Sequence, residues 1–304
     1  MKIKKILLIL VVLIITSGGV YYGSKYSINL QRQQALLEQR KSDWEALRKK
    51  VIGDISLFKG ETGIVIKDLR TNWEIAYNKD KLFPSASLAK IVIMPACFIA
   101  VKEGNIKLDQ NVVLKNSDKL IGSGILKRAR SGSTFSVEEL IGHMIYDSDN
   151  TATNILTNII GMDYLRNACN SFGLKNTNIS RKVADYCSRK KGIENYTTAE
   201  DMALILERMY RRSFVNKNVS EKCLNLLRLQ RVNDRIPKYL PADVTIAHKT
   251  GLERNVCHDV GIVSSDKGDF LICVLTKRAN SNSIISKRFI SKVALHTYAY
   301  FENL

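Results

Sequence analysis

Hydrophobic positions along the 304-residue chain change their period several times. Lys2, Lys4 and Lys5 precede an unbroken apolar run from Ile6 to Ile15, which continues through Thr16-Ser17-Gly18-Gly19-Val20 to Tyr21 and Tyr22. No polar face interrupts the run, so it predicts a membrane-directed segment and not an amphipathic core helix. Residues 16–19 match an Ala-x-Ala-like cleavage site only loosely, and the paired tyrosines suit a membrane interface. An uncleaved anchor over residues 1–23 is expected, with secretion after signal cleavage as the alternative. Basic residues on the short amino-terminal side belong in the cytoplasm, which puts the rest of the chain on the extracytoplasmic side of the cell membrane.

Beyond the anchor the pattern turns helical, then alternating, then helical again. Residues 24–43 read as a charged helical linker, and residues 44–304 as one folded body. Short β-type runs at 63–68 and 73–77, separated by 69–72, predict a hairpin. Helical periodicity follows over 87–103, 137–160, 162–172 and 198–212, with Ser136 and Glu139 forming a capping box before the second of these. Strand character returns at 244–249, 256–264 and 269–276, and a last helix is expected over 283–301. Strands near both ends therefore flank a helical middle. The economical packing is an α+β fold: an antiparallel sheet built from both chain ends, flanked by helices, with a mostly helical lobe inserted between its halves.

Composition narrows the function classes. Hydrophobic residues make up 45% and charged ones 25%, which excludes a multi-span membrane protein and a wholly disordered chain. The net charge of +18 asks for anionic surroundings. With an exported body, these are better supplied by a membrane surface and an anionic cell-wall polymer than by nucleic acid, for which no RNP-type, zinc-finger or Gly-Lys-Thr pattern is present. Six scattered cysteines without a Cys-x-x-Cys pair, and only four histidines, argue against a zinc site. Cys97 and Cys273 sit at apolar positions and read as small core residues, so no obligatory disulfide is expected.

Three short elements carry chemistry in a fixed order: Ser87-Leu88-Ala89-Lys90, Ser148-Asp149-Asn150 and Lys249-Thr250-Gly251. Each is common alone; together they resemble the signature of the class A β-lactamases and penicillin-binding proteins. Flanking residues extend the likeness: Phe83-Pro84-Ser85-Ala86 before the first element, Thr151-Ala152-Thr153-Asn154 after the second, Thr197-Thr198-Ala199-Glu200-Asp201, and His248 before the third. The resemblance covers roughly Trp44 to the carboxyl terminus.

Physical chemistry supports the same roles. Residues three apart share a helix face, so the Lys90 amine lies within reach of the Ser87 hydroxyl. An unassisted serine is a poor nucleophile, and a buried lysine close to Lys249 would favour its neutral form and take the serine proton. The resemblance implies Ser148 as proton relay to the leaving nitrogen and Asn150 as donor to a substrate amide carbonyl. It further implies Lys249 and Thr250 as the carboxylate holders, and the Ser87 and Leu252 N–H groups as the oxyanion hole. Gly251 leaves room for close backbone approach. No metal or organic cofactor is implied.

The resemblance breaks at one place. Class A β-lactamases carry a glutamate in an Arg-x-Glu-x-x-x-Asn loop that activates the deacylating water, and the corresponding stretch begins at Arg181. Val183 and Cys187 occupy its two water-holding positions, and valine cannot accept a proton. Asp185 is a weak substitute and Glu194 lies farther along; a structural hydrogen bond is the better reading of both. His258-Asp259 invites a Ser/His/Asp reading that strand alternation rejects, although one of the two is expected to face the cleft. The sequence thus predicts a serine hydrolase acting on β-lactams with slow deacylation. The alternatives are a D-Ala-D-Ala-type peptidase acting on peptidoglycan peptides and a non-catalytic wall-binding or sensor domain.

Overall fold

The computed structural model describes the backbone of residues 2–280 and 282–303, with side chains for residues 22, 25–280 and 282–303. The anchor expected over 1–23 lies, Tyr22 apart, outside the residues with described side chains. Among the described residues no helix is long and apolar enough to cross a membrane. The chain divides into two compact units, residues 1–50 and 51–303, and the site lies wholly in the second.

Helix α1 (Lys2–Leu57) is followed by the expected hairpin of β1 (Glu61–Asp68) and β2 (Glu74–Tyr77). Short β3 (Phe83–Pro84) enters a 3₁₀ turn, Ala86–Leu88, that feeds α2 (Ala89–Lys102). Strands β4 (Asn111–Val113) and β5 (Thr134–Ser136) pair ahead of α3 (Val137–Tyr146), α4 (Asn150–Ile160) and α5 (Met162–Ser171). After α6 (Tyr186–Lys190), β6 (Tyr196–Thr197) pairs with β3, and α7 (Ala199–Tyr210) and α8 (Lys217–Arg228) close the helical part. The chain ends with β7 (Thr245–Glu253), β8 (Val256–Ser265), β9 (Gly268–Lys277) and α9 (Ile284–Glu302).

The main sheet has the order β2-β1-β9-β8-β7 and is antiparallel at every pairing, with Val65 opposite Cys273 where the two chain ends meet. Both faces are covered, because neighbouring residues of β9 point to opposite sides. Phe270 stacks on Phe301 of α9 with ring centroids 5.0 Å apart, while Asp269 accepts a hydrogen bond of 2.8 Å from Tyr210 of α7. The inserted lobe wraps α2, which is apolar on nearly every side and therefore has no face to give to water. The sheet leaves β7 as an edge beside the turn that begins α2.

Two expectations needed revision. The period read as one helix over 137–160 is two, α3 and α4, because apolar spacing runs through both and hides the break. Asp149 makes the break: its carboxylate caps α4 by accepting from Ala152 N at 2.9 Å and also accepts from Leu126 N at 2.8 Å. A Cβ on Gly124, whose φ is +104°, would fall 2.2 Å from that carboxylate. Helix α8 is an element that the hydrophobic pattern does not predict, because Lys217, Glu221 and Lys222 mask its buried stripe of Val219, Cys223, Leu224 and Leu227.

Asp149 is fully buried, so its removal orphans two backbone donors. Asp149→Ala is expected to cost about 2–3 kcal/mol of unfolding free energy in denaturant titrations, with Asp149→Asn losing less because its amide oxygen still accepts.

Candidate active site

The 3₁₀ turn presents Ser87, and the first turn of α2 presents Lys90. Ala86 ahead of the serine holds a left-handed backbone with φ of +46°, a conformation costly for a residue with a Cβ. His258 braces this turn from below. Its Nε2 donates to Pro84 O at 2.9 Å while Nδ1 accepts from Thr276 N at 3.1 Å, and burial lowers its pKa to about 4, so the ring is neutral in one tautomer. Gly251 lets β7 lie close against the same turn, for a Cβ there would meet Leu88 Cγ and Ser85 O at 3.3 Å.

The break between α3 and α4 points Ser148 inward, again with a left-handed backbone, φ +53°. Lys90 Nζ lies 3.1 Å from Ser87 Oγ, 3.1 Å from Ser148 Oγ, 2.6 Å from Ser148 O and 3.0 Å from Asn150 Oδ1. Lys249 Nζ approaches the same Ser148 hydroxyl at 3.0 Å from the other side and donates to Thr250 O at 3.1 Å. Both lysines are fully buried. Burial pushes the Lys90 ammonium well below the ordinary lysine range, the nearby Lys249 charge pushes the same way, and Asp149 and Glu253 offset part of this. Lys249 is lowered to about 7 by burial, with Asp259 opposing and Arg235 assisting.

Donor counting shows what the arrangement can do. Carbonyl oxygens only accept, so a neutral Lys90 gives its two hydrogens to Ser148 O and Asn150 Oδ1. Its lone pair is then left for a hydroxyl, and Ser87 Oγ is in range. The cluster can therefore receive a proton from Ser87 and pass one through Ser148.

Above it opens a cavity of about 550 Å³ lined by Ser87, Asn150, Leu252 and, along one edge, Val183, Ala184 and Tyr186. Lys90, Ser148, Lys249 and Thr250 form the buried wall behind it. The 181–194 edge is tied down by a ring of alternating charges. Arg181 Nε donates to Glu194 at 2.9 Å, Arg189 Nε lies 3.0 Å from Glu194, and Arg189 Nη1 lies 2.9 Å from Glu253 at the end of β7. Asn154 Nδ2 adds a bond of 3.0 Å to Val183 O.

The structure thus brings together Ser87, Lys90, Ser148, Asn150, Lys249, Thr250, Gly251 and Leu252. Asp185 is elsewhere: it caps α6, accepting from Ser188 N at 3.0 Å and Ser188 Oγ at 2.6 Å, and those bonds lower its pKa. Glu194 is the buried partner of two arginines. Neither His258 nor Asp259 lines the cavity, contrary to expectation, because β8 is an interior strand covered on both faces; Asp259 instead meets His248 Nδ1 at 2.9 Å. Sequence reading missed Glu253, the one carboxylate among the described residues lining the cavity. It also missed Arg235, fully buried with its charge near Lys249. Opposite charges spaced along 181–194 were the available signal for the ring, but nothing in the sequence linked them to β7. Among the described residues no group of three His, Cys, Asp or Glu side chains is placed to hold a metal ion.

Comparison with known proteins agrees with this geometry. The profile of the beta-lactamase enzyme family matches residues 46–301. Beta-lactamase VEB-1 of Pseudomonas aeruginosa is 25% identical over 79% of this chain and 85% of its own length. The extended-spectrum beta-lactamase PER-1 of the same organism is 24% identical over 94% of each. Among solved structures, a beta-lactamase from Sphaerobacter thermophilus superposes with a TM-score of 0.78 at 26% identity, covering 86% of this chain and 98% of that one. PBP-A gives 0.77 at 26% identity over 85% and 97%, and a mutant of PBP-A has been solved as an acyl-enzyme complex with penicillin G.

The lowered Lys249 pKa carries a stability signature. The unfolded lysine binds its proton up to the ordinary lysine range, the folded one only up to about 7. The burden on the fold is therefore complete below about pH 7 and fades as pH rises toward the usual lysine value. Lys249→Met should be more stable than the wild type at pH 6, with the difference in unfolding free energy shrinking steadily by pH 10.

Proposed function

The chain belongs to the beta-lactamase enzyme family, and from that footing we propose that it is a serine acyl-transfer enzyme that opens β-lactam rings on Ser87 and releases the acyl group slowly. The observation that carries this reading is the Lys90 amine, 3.1 Å from both Ser87 Oγ and Ser148 Oγ. As Ser87 Oγ attacks the lactam carbonyl, its proton passes to neutral Lys90 and a tetrahedral oxyanion forms between the N–H groups of Ser87 and Leu252. Helix starts and edge strands both leave N–H groups without a partner. Collapse of the intermediate breaks the C–N bond, and Ser148, resupplied through Lys90, delivers a proton to the leaving nitrogen. Lys249 and Thr250 hold the substrate carboxylate, and Asn150 donates to the acyl-side amide.

Deacylation needs a base for water, and Val183 supplies none. Glu253 is committed to arginines, and Asp185 to capping α6. The acyl-enzyme is therefore long-lived in this reading, in keeping with the penicillin G adduct described for the PBP-A mutant. Val183 also favours a second reading, in which the natural substrate is a D-Ala-D-Ala-type peptide of peptidoglycan. Either substrate suits a body held outside the cell by residues 1–23, close to the anionic wall.

A fluorescent penicillin should label the wild-type chain covalently and leave Ser87→Ala unlabelled; absence of label, or equal labelling of both, removes the enzymatic reading. Followed by intact mass, the adduct should persist for hours, and Val183→Glu should shorten its life by about tenfold or more, since a positioned general base is worth at least that. Protease added to intact cells should cleave the body, and a protected body would overturn the extracytoplasmic placement.

A further inference from the structure

We infer that the acyl-side end of the cleft carries a second anion subsite, built by Lys190 and Arg254, that selects acyl donors bearing a carboxylate on the acyl side chain. The inference rests on the proposed acyl-enzyme reading and specifies its substrate class. Direction along β7 gives the geometry. Lys249 and Ser148 mark the leaving-group end, and Leu252 marks the carbonyl. The acyl side chain must then extend the other way, between the 183–190 edge and residues 253–255. Arg254 is five positions beyond Lys249, on the order of 15 Å along an extended strand, too far to share the first carboxylate.

Charge accounting shows what that end lacks. Arg181 and Arg189 are matched by Glu194 and Glu253 in the alternating ring. Lys190 at the end of α6 and Arg254 in the turn after β7 line the same cavity as Ser87. Among the described residues neither has an ion-pair partner, and both are exposed. Glu253, the only carboxylate on that wall among the described residues, is already compensated at 2.9 Å by Arg189. Two uncompensated cations on separate elements thus face one opening. Val183, Ala184, Tyr186 and Leu252 line it with apolar surface, which focuses their field on a bound ligand. A carboxylate on the acyl side chain is the complementary group. It is available either from an acidic residue in a peptidoglycan stem peptide or from a β-lactam with an anionic side chain.

The test uses the full chain in detergent and compares acylation by benzylpenicillin and carboxybenzylpenicillin, which differ by that one carboxylate. Rates are read by competition with a fluorescent penicillin. A parallel arm compares D-Ala release from acetyl- and succinyl-capped Lys-D-Ala-D-Ala. The wild type should favour the anionic member of a pair by on the order of three- to tenfold at low salt, the scale of two solvent-exposed charge contacts. That preference should collapse in high salt and in the K190Q/R254Q double variant. Preference in the penicillin arm alone points to anionic β-lactams, and preference in the peptide arm points to an acidic stem peptide. Labelling without preference in either arm, or a preference unchanged in the double variant, overturns the subsite while leaving the acyl-enzyme reading intact. Failure of both penicillins to label Ser87 removes that reading and the subsite with it.

Discussion

Two lysine amines buried around one serine hydroxyl cannot both carry full charge, and the rest of the site follows from that constraint. Burial disfavours the charged form of both Lys90 and Lys249. The neighbouring charge of Lys249 pushes Lys90 the same way, as that of Arg235 pushes Lys249, so the protonated state that lysine ordinarily prefers is disfavoured. Two carbonyls absorb the hydrogens of the Lys90 amine and leave its lone pair for a hydroxyl. The fold keeps this cluster dry by placing Lys90 on the buried helix α2 and Lys249 on a strand pressed against the start of that helix. Left-handed backbones at Ala86 and Ser148 set the positions of the two hydroxyls, so part of the fold's conformational cost falls where chemistry is proposed.

The cleft is asymmetric. One end is a dense hydrogen-bonded wall around Lys90, Ser148 and Lys249, whereas the other is an edge of chain held by side-chain charges. Arg181, Glu194, Arg189 and Glu253 alternate in sign, so the ring fastens residues 181–194 to β7 without adding net charge. Partial burial makes these pairs costly to break singly, since each removal strands a charge among the others. With Asn154, the ring holds Val183 at the rim of the cavity, and the slow deacylation we propose turns on the identity of that one apolar residue.

Sequence alone carried much of this and failed for identifiable reasons. Strand alternation and helical period placed the sheet, α2 and α9, because those elements bury continuous apolar faces. The three motifs gave seven cavity or wall residues, and the family likeness added Leu252, because proton transfer and carbonyl activation restrict residue types tightly. The break before Asn150 stayed hidden under an uninterrupted apolar period, and α8 under its charged surface. Glu253, Arg235 and the bracing role of His258 were out of reach, since each depends on a partner far away in sequence. Asp185, a weak candidate for the base and better read as a structural hydrogen-bonding group, accepts from Ser188 as the cap of α6.

The protonation state of Lys90 tests the account most directly. In the full chain carrying ¹³C-labelled lysine, the Lys90 side-chain resonance, assigned by its loss in Lys90→Arg, can be followed as pH is varied. The account predicts that Lys90 loses its proton well below every surface lysine, with Lys249 losing its own near 7 in the same spectra. A Lys90 signal that titrates together with the surface lysines would contradict it.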